Sequence, residues 1–266
     1  MKLKELVEHK GIGHPDTIAD NIAERLSELL EEVYILEYGT IQHYNVDKVL
    51  VTTKNGILFV VFAGQCTKIP KKYKLYELLD KAACYAIYDL AKLKVPKEKI
   101  AITNMLNLGA PELRSNFNRK RCNDTSYAVG FYPLTVLENL VLRAVSFVKH
   151  SLKDFPGSDF KIMGAQFSDG SIKLTVAKAF ICDRKDIKKY NELKTNFKKY
   201  LQTQIYPHID ITVNNADKGK SIFATKWGSS LEGGDSGMVG RGNRLNGLIT
   251  PMRPMTLEAY HGKNNQ

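Results

Sequence analysis

Apolar side chains recur every three or four positions in four stretches of the chain, which predicts four amphipathic helices. These stretches are 17–32, 75–90, 134–148 and 187–201. Two pairs of β-rich runs, joined at Lys54-Asn55-Gly56 and at Asp169-Gly170, predict two β-hairpins. The segments "KIAITN" and "HIDITVNNAD" each predict one more strand. The order of helix, hairpin, helix and strand therefore occurs twice.

The repeated order favours two copies of one supersecondary unit, with sheets packed under helices in an α+β fold. An acidic residue followed by a hydroxyl residue occurs three times, about 110 residues apart. Chance spacing of common dipeptides is the alternative. We predict one pseudo-symmetric assembly over 1–266, with approximate repeats 14–122 and 123–233 and an incomplete third repeat, 234–266. The three dipeptides are Asp16-Thr17, Asp124-Thr125 and Asp235-Ser236.

Composition excludes several classes of protein. A chain of 266 residues that is 43% hydrophobic is long enough to bury a substantial core. It has no apolar run of about 18 residues and no apolar signal region, so we expect neither a membrane span nor secretion. The four cysteines form no C-x-x-C pair, which disfavours a zinc or disulfide framework and indicates reduced thiols in the cytoplasm. They are Cys66, Cys84, Cys122 and Cys182.

The net charge of +11 admits two interpretations. A basic protein suits an anionic partner such as a nucleotide or a nucleic acid. Most lysines, however, lie between apolar residues at helical spacing, as in "KKYKLYELLDK", which is typical of a solvated helix face. We therefore predict no nucleic-acid partner from charge alone.

The segment "HKGIGHPDTIADNIAE", residues 9–24, places candidate chemistry at a helix start. Pro15 disfavours helical geometry at His14, so the helix is predicted to begin near Asp16. Free N–H groups and the helix dipole attract anions there, which would put His14 beside a phosphate and let Asp16 bind the accompanying Mg²⁺. Alternatively, Asp16 is only an N-cap and His14 a surface residue.

A second candidate is the glycine-rich segment "LEGGDSGMVGRGNRLNGLITPMRP". Glycines let the backbone approach a ligand closely, and Arg241, Arg244 and Arg253 are suited to gripping phosphate oxygens. No G-K-[ST] follows, so the segment is not a Walker A loop. A disordered RNA-binding segment is the alternative, but "LITPMRPMTLEAY" is too apolar and regular for one.

Four segments together resemble the archaeal-type methionine adenosyltransferases, the S-adenosylmethionine synthetases. The segments are "VEHKGIGHPDTIADNIAE", "NDTSYAVGFYPLT", "DGSIKLTVAKAF" and "GGDSGMVGRGNRLNGLITPMRPMTLEAYHGKN". The resemblance implies three similar α/β units and a homodimer with active sites at the subunit interface, with pairing into tetramers left open. It also implies that ATP, L-methionine and water give S-adenosylmethionine, phosphate and diphosphate. The implied metal is Mg²⁺, and a K⁺ requirement stays open.

The matching motifs also imply roles for single residues. His14 is expected beside the phosphate chain and Asp16 on Mg²⁺. Lys161 resembles a phosphate-contacting lysine, although a solvated lysine at a strand edge is the alternative. Substrate is expected near Asp124 and Asp235, and the triphosphate is expected to be neutralised by Arg241, Arg244 and Lys263.

Three features depart from the family pattern. Thr17 follows the H-P-D motif, as in archaeal members. No glycine-rich turn with a glutamate lies near "TTKNGILF", so methionine contacts are not assigned. The family continues beyond G-K-N, so we expect a form shortened at its C-terminus. Two hypotheses result: an active, shortened enzyme, and a non-catalytic nucleotide-binding or regulatory subunit. Strands with apolar residues at nearly consecutive positions further predict a homodimer that buries both sheet faces.

Overall fold

A computed structural model describes residues 2–111, 132–205, 208–217, 220–232 and 248–249. The chain divides into two compact units. Unit 1 contains residues 1–17 and 127–266, and unit 2 contains residues 18–126. The bounds of the three sequence repeats stay a prediction, because the end of the first repeat lies outside the described residues.

The described residues contain four α-helices and ten strands, including every predicted helix, hairpin and strand. In chain order they are β1 (Leu3–Lys10), α1 (Pro15–Tyr38), β2 (Tyr44–Lys54), β3 (Ile57–Cys66), α2 (Leu75–Cys84), β4 (Ile100–Leu108), α3 (Val136–His150), β5 (Phe160–Phe167), β6 (Ile172–Lys178), β7 (Phe180–Ile181), α4 (Ile187–Gln204), β8 (Asp210–Val213), β9 (Ala224–Thr225) and β10 (Leu248–Ile249). The predicted α+β class is confirmed. Residues Tyr85–Leu90, predicted as the end of an α-helix, form a π-helical turn instead.

Unit 2 is built on a three-stranded sheet in the order β2-β3-β4. The β2–β3 hairpin turns at Asn55 and Gly56, whose φ angles of 53° and 73° are left-handed, as a tight two-residue hairpin turn requires. Alternate residues of β3 are buried and partly exposed, so within this chain the sheet has one buried face. Strand β4 runs parallel to β3, which the intervening α2 permits.

Unit 1 contains a five-stranded sheet in the order β10-β1-β5-β6-β8. Strands β1, β5 and β6 are antiparallel neighbours, and β8 is parallel to β6. Helix α3 packs so closely on β5 that a Cβ at Gly164 would lie 2.7 Å from a Val141 methyl. The core between the helices and this sheet is apolar, and its largest members are Phe160, Phe180, Tyr190, Phe197 and Phe223.

The face of this sheet opposite α3 has a different character. Side chains alternate along a strand, so the residues between the core positions of β1 and β5 point away from α3. On β1 these residues are Glu8 and Lys10, and on β5 they are Lys161 and Met163. In the β1–β5 register Lys10 lies opposite Lys161, and Glu8 lies opposite Met163. The strand pairing therefore concentrates charged groups on one part of the sheet.

Candidate functional site

The connection from β1 to α1, residues 11–14, runs along the start of β5. The Gly11 N–H donates to the Phe160 carbonyl at 2.7 Å, and the Gly13 N–H donates to the Ser158 carbonyl at 3.1 Å. A Cβ at Gly11 would lie 2.5 Å from the Phe160 ring, and one at Gly13 would lie 2.7 Å from the Asp159 nitrogen. Both positions therefore require glycine, because the two segments approach too closely for a larger residue.

His14 occupies the end of this connection and is 8% exposed. Its Nδ1 accepts a hydrogen bond from the Asp16 N–H at 3.2 Å, so the proton of the neutral ring lies on Nε2. Burial lowers the pKa of His14 below its ordinary value, and Asp159 and Asp16 oppose that shift less strongly. The site thus presents a neutral imidazole with one N–H donor. The alternative of a surface histidine does not hold.

Asp16 lies in the first turn of α1, where the helix dipole favours a negative charge. The helix begins at Pro15, so the predicted start near Asp16 is confirmed and the N-cap alternative is wrong. The Lys10 amine forms an ion pair with Asp16 Oδ2, and His14 Nδ1 lies 4.0 Å from the same oxygen. The Lys10 side chain is buried, whereas that of Asp16 is 36% exposed. The carboxylate is therefore the more accessible partner.

Lys161 lies on β5, between β1 and β6, and is 4% exposed. Its amine is 3.1 Å from Glu8 Oε2, and the Glu8 side chain is 1% exposed. The alternative of a solvated lysine at a strand edge is therefore wrong. Two lysines and two carboxylates, Lys10 with Asp16 and Lys161 with Glu8, form what we call the paired-charge cluster.

Asp159 is fully buried beside the connection. Its Oδ2 accepts hydrogen bonds from the Ser230 N–H at 2.7 Å, the Ser230 hydroxyl at 2.6 Å and the Ser229 hydroxyl at 3.2 Å. The Ser229 oxygen also lies 3.1 Å from the Gly13 carbonyl oxygen, so its single hydroxyl proton is shared between that carbonyl and Asp159 Oδ2. Among the described residues, Asp159 Oδ1 has no hydrogen-bond partner. A buried carboxylate oxygen without a donor is costly.

Sequence reasoning did not single out Asp159, Lys10 or Glu8. Asp159 occurs in "GSDFK", two positions before Lys161, and that spacing was the available signal. Lys10 and Glu8 occur in "VEHK", residues 7–10, which end five residues before Pro15. Their roles depend on pairing between strands that are distant in sequence.

A groove beside α3 is lined by none of the predicted site residues that the structure describes. Its volume is about 400 Å³, which would hold a small molecule, and its lining is mostly apolar. The described residues that line it are Val136, Asn139, Leu140, Arg143, Ile172, His208 and Ile209. The charged and hydrogen-bonding side chains that suit a phosphate lie at the β1–α1 connection instead.

Comparison with known proteins identifies the family. The family model described as S-adenosylmethionine synthetase (AdoMet synthetase) matches residues 2–265. The chain belongs to the S-adenosylmethionine synthetase family. The resemblance inferred from the sequence is thereby confirmed. Within the described part of this family member, no helix is long and apolar enough to cross a membrane.

Individual relatives agree with this assignment. The chain is 36% identical over 293 residues to a probable S-adenosylmethionine synthase of Aquifex aeolicus, covering 98% of this chain and 72% of the relative. It is 37% identical over 289 residues to the S-adenosylmethionine synthase of Thermoplasma volcanium, with the same coverage. For that of Pyrococcus furiosus, the identity is 35% over 294 residues, covering 99% and 73%.

A solved structure has a similar fold. It is titled as an unusual S-adenosylmethionine synthetase from Campylobacter jejuni, and the TM-score is 0.55 at 15% sequence identity. The alignment covers 81% of this chain and 59% of that chain. At this identity the likeness concerns the fold alone.

The structure of this S-adenosylmethionine synthetase family member brings three predicted site residues into one region: His14, Asp16 and Lys161. The other predicted site residues lie outside the described residues, so their placement stays a prediction. These are Asp124, Asp235, Arg241, Arg244 and Lys263. Strand β10, which follows Arg244 by four residues in the sequence, pairs with β1 at Glu8 and His9.

Proposed function

We propose that this chain is a methionine adenosyltransferase, which joins ATP and L-methionine to form S-adenosylmethionine and, with water, phosphate and diphosphate. The family match over residues 2–265 carries the assignment. The hypothesis of a non-catalytic nucleotide-binding or regulatory subunit is disfavoured by the buried, hydrogen-bonded state of the site. A chain that needed only to hold nucleotide would not require a neutral buried His14 beside paired lysines.

The reaction defines what the site must supply. The methionine sulfur attacks the ribose C5′ carbon and expels the triphosphate, so no covalent protein nucleophile is needed. Negative charge gathers on the leaving group in the transition state, and preorganised cations and hydrogen-bond donors stabilise it there. We assign this work to the Lys10 and Lys161 amines and to the Nε2–H of His14. A neutral histidine donates this hydrogen bond through Nε2 while its Nδ1 accepts from the Asp16 N–H.

Asp16 fits the implied Mg²⁺. Its partly exposed carboxylate supplies the oxygen ligand that Mg²⁺ prefers, and such ions usually bind through one or two carboxylates together with phosphate oxygens and water. Within the described residues no group of three or more His, Cys, Asp or Glu side chains could hold a metal. When bound, the ion would neutralise charge on the triphosphate.

Charge balance explains why Lys10 and Asp16 are paired before substrate arrives. A buried lysine without a partner is unfavourable, so the Asp16 carboxylate holds the Lys10 amine in the cluster. A metal-bearing triphosphate carries an anion for Lys10 and a cation for Asp16, so both charges would keep a partner.

Further site residues are proposed from the matching motifs. We place Asp124 near substrate and Asp235 near the ribose or the methionine. Arg241, Arg244 and Lys263 would neutralise the triphosphate. We leave the K⁺ requirement open.

We also propose a homodimer with active sites at its interface. On the face of the unit 2 sheet opposite its buried residues, Leu50 is 57% exposed and Met105 is 58% exposed. Exposed apolar side chains on one sheet face are typical of a subunit interface. We propose the cytoplasm as its location, because Cys66, Cys84 and Cys182 are free thiols.

The decisive experiment compares wild type with His14→Asn in ATP, L-methionine, Mg²⁺ and K⁺, with the sulfonium product measured. The wild type should form S-adenosylmethionine. The variant should lose about 10²-fold to 10³-fold in kcat with a much smaller change in ATP affinity, because the hydrogen bond acts in the transition state.

His150→Asn is the matched control, since His150 is an exposed histidine at the end of α3 and should leave both quantities unchanged. Equal losses of kcat and ATP affinity in His14→Asn would contradict the transition-state role. Nucleotide binding by the wild type with no product would favour the regulatory alternative.

A further inference from the structure

Lys178, the last residue of β6, is a fully buried lysine that lies outside the paired-charge cluster. Its main chain is fixed by the Asn214 side chain, with hydrogen bonds of 2.8 Å from the Lys178 N–H and 2.9 Å to the Lys178 carbonyl. The side-chain amine donates to the Gly157 carbonyl and lies 3.5 Å from the Ala179 carbonyl. It also lies over the rings of Phe180 and Phe197, at 5.4 Å and 5.7 Å.

Burial of this amine opposes its charge. It lowers the pKa of Lys178 to about 7, against a weaker opposing effect of Asp159. An apolar side chain of similar length would fill the same space without that desolvation cost. The buried lysine therefore makes the fold less stable than such an apolar side chain would. The group that its amine binds is the Gly157 carbonyl. Both the charged and the neutral amine donate hydrogen bonds, so the tether does not depend on charge.

Gly157 begins a short segment that we call the strap, residues 157–159. Its φ of 126° is left-handed, and a Cβ there would lie 2.2 Å from the Ala179 carbonyl oxygen. The strap passes directly beneath the β1–α1 connection, since the Ser158 carbonyl accepts from the Gly13 N–H at 3.1 Å. At its end the Asp159 carbonyl accepts from the Ala179 N–H at 2.9 Å.

The strap is thus held at both ends by groups next to one another in sequence. The Lys178 amine fixes the carbonyl at its beginning, and the Ala179 N–H fixes the carbonyl at its end. Between them lie the main-chain contact to Gly13 and the buried Asp159 carboxylate. His14 follows Gly13 directly, so a shift of the strap moves the imidazole.

We propose that Lys178 is a positioning residue for adenosyl transfer: its buried amine anchors the Gly157 carbonyl and thereby holds the strap against Gly13 and His14. The proposal rests on the proposed function, because the imidazole is placed for that reaction. Lys178 is fully buried and acts through the strap, so it does not touch substrate.

The test is Lys178→Met, with Lys173→Met as its matched control. Both remove a lysine from β6, but Lys173 is exposed and pairs with Asp210 at 3.4 Å. A displacement of about 1 Å at a reacting group lowers a rate about 10²-fold. We expect Lys178→Met to lower kcat about 10-fold to 10²-fold with a KM for ATP within about 3-fold of wild type. The control should keep wild-type kinetics.

A second readout does not depend on activity. Hydrogen exchange of peptides covering residues 9–16 and 155–162 should be faster in Lys178→Met than in wild type, while exchange in the middle of α1 stays unchanged. A residue needed only for stability would instead speed exchange throughout and leave the kcat of the folded fraction intact. Arg is a poor rescue here because its guanidinium is larger, so Lys178→Gln, which keeps a donor on a shorter side chain, is the conservative variant. It should fall between wild type and Lys178→Met.

Each outcome bears on the proposal. Wild-type kcat together with wild-type exchange in Lys178→Met overturns it, and if that variant does not fold, the same result in Lys178→Gln overturns it. Faster local exchange with a lowered kcat supports it. If the wild type forms no S-adenosylmethionine but the local exchange effect is present, the proposed function fails and the anchoring of the strap stands.

Discussion

Replacing Gly13 with alanine tests how closely the β1–α1 connection and the strap must fit. The added Cβ would lie 2.2 Å from Ser158 Oγ, and 2.7 Å from both the Ser158 carbonyl carbon and the Asp159 nitrogen. The Ser158 side chain has other rotamers, whereas the two main-chain atoms cannot adjust in that way. Ordinary contact begins at 3.4 Å, so the segments must separate by about 0.7 Å. Overpacking of this kind costs about 1–3 kcal/mol.

The kinetic effect is separate from the effect on stability. His14 follows Gly13, so a separation of several tenths of an ångström moves the imidazole against the reacting centre. We expect Gly13→Ala to lower kcat about 10-fold to 10²-fold. Urea unfolding followed by circular dichroism gives the free energy, and initial rates of sulfonium formation give kcat.

Gly170→Ala is the control for the backbone effect of alanine. Gly170 has a φ of 84°, and nothing lies within 4 Å of a Cβ built there. Alanine at this left-handed position should cost about 1 kcal/mol through strain alone. The hairpin tip is at the opposite end of β5 from the strap, about 25 Å away by strand length, so kcat should not change. If Gly13→Ala has the same kcat as Gly170→Ala, the close approach of Gly13 to the strap has no role in the reaction.

The remaining predictions concern assembly and pH. Wild type should sediment at twice its 30.0 kDa chain mass at micromolar concentration, and Leu50→Lys with Met105→Lys should shift it to the monomer mass; a stable wild-type monomer would refute the proposed interface. The folded pKa of Lys178, about 7, lies below the ordinary value of 10.5, so the unfolded chain binds the additional proton between those pH values. This residue therefore makes wild type gain stability as pH rises from 7 to 10.5. The melting temperature of Lys178→Met minus that of wild type should be highest at pH 7 and should fall as the pH rises toward 10.5. A difference that stays constant would show that Lys178 does not titrate in this range.

Local sequence signals predicted the helices and hairpins because they depend on neighbouring residues. Pro15 starts α1 one position before Asp16, and Asn55-Gly56 and Asp169-Gly170 supply the φ angles their turns need. The π-helical turn at Tyr85–Leu90 could not be read in this way. Its apolar residues continue the spacing of α2, and that spacing does not distinguish a π turn from an α-helix.

The site was predictable only where a sequence motif contains its residues, as "FKIMG" contains Lys161. His14 and Asp16 lie in the same segment, but Asp159 and Lys178 are positioned by contacts between residues that are distant in the sequence. Asp159 meets Ser229 and Ser230, which lie about 70 residues further along the chain. Lys178 meets Gly157 through a carbonyl, a group that every residue has. No pattern of residue types in the sequence therefore predicts this contact.

The paired-charge cluster depends on strand register in the same way. Lys10 and Lys161 face one another because β1 and β5 pair in one register, with Glu8 and Met163 as the neighbouring pair. A slip of β1 by one residue would turn Lys10 and Glu8 toward the apolar core under α3 and leave Lys161 without Glu8. The cost of an unpaired buried charge, several kcal/mol, therefore disfavours that alternative strongly. A buried ion pair adds little net stability compared with apolar residues of the same size, so stability does not explain why Lys161 and Glu8 occupy the middle of this sheet. Their value lies in fixing one register and in holding two amines side by side at the end of β1, where the connection to His14 begins.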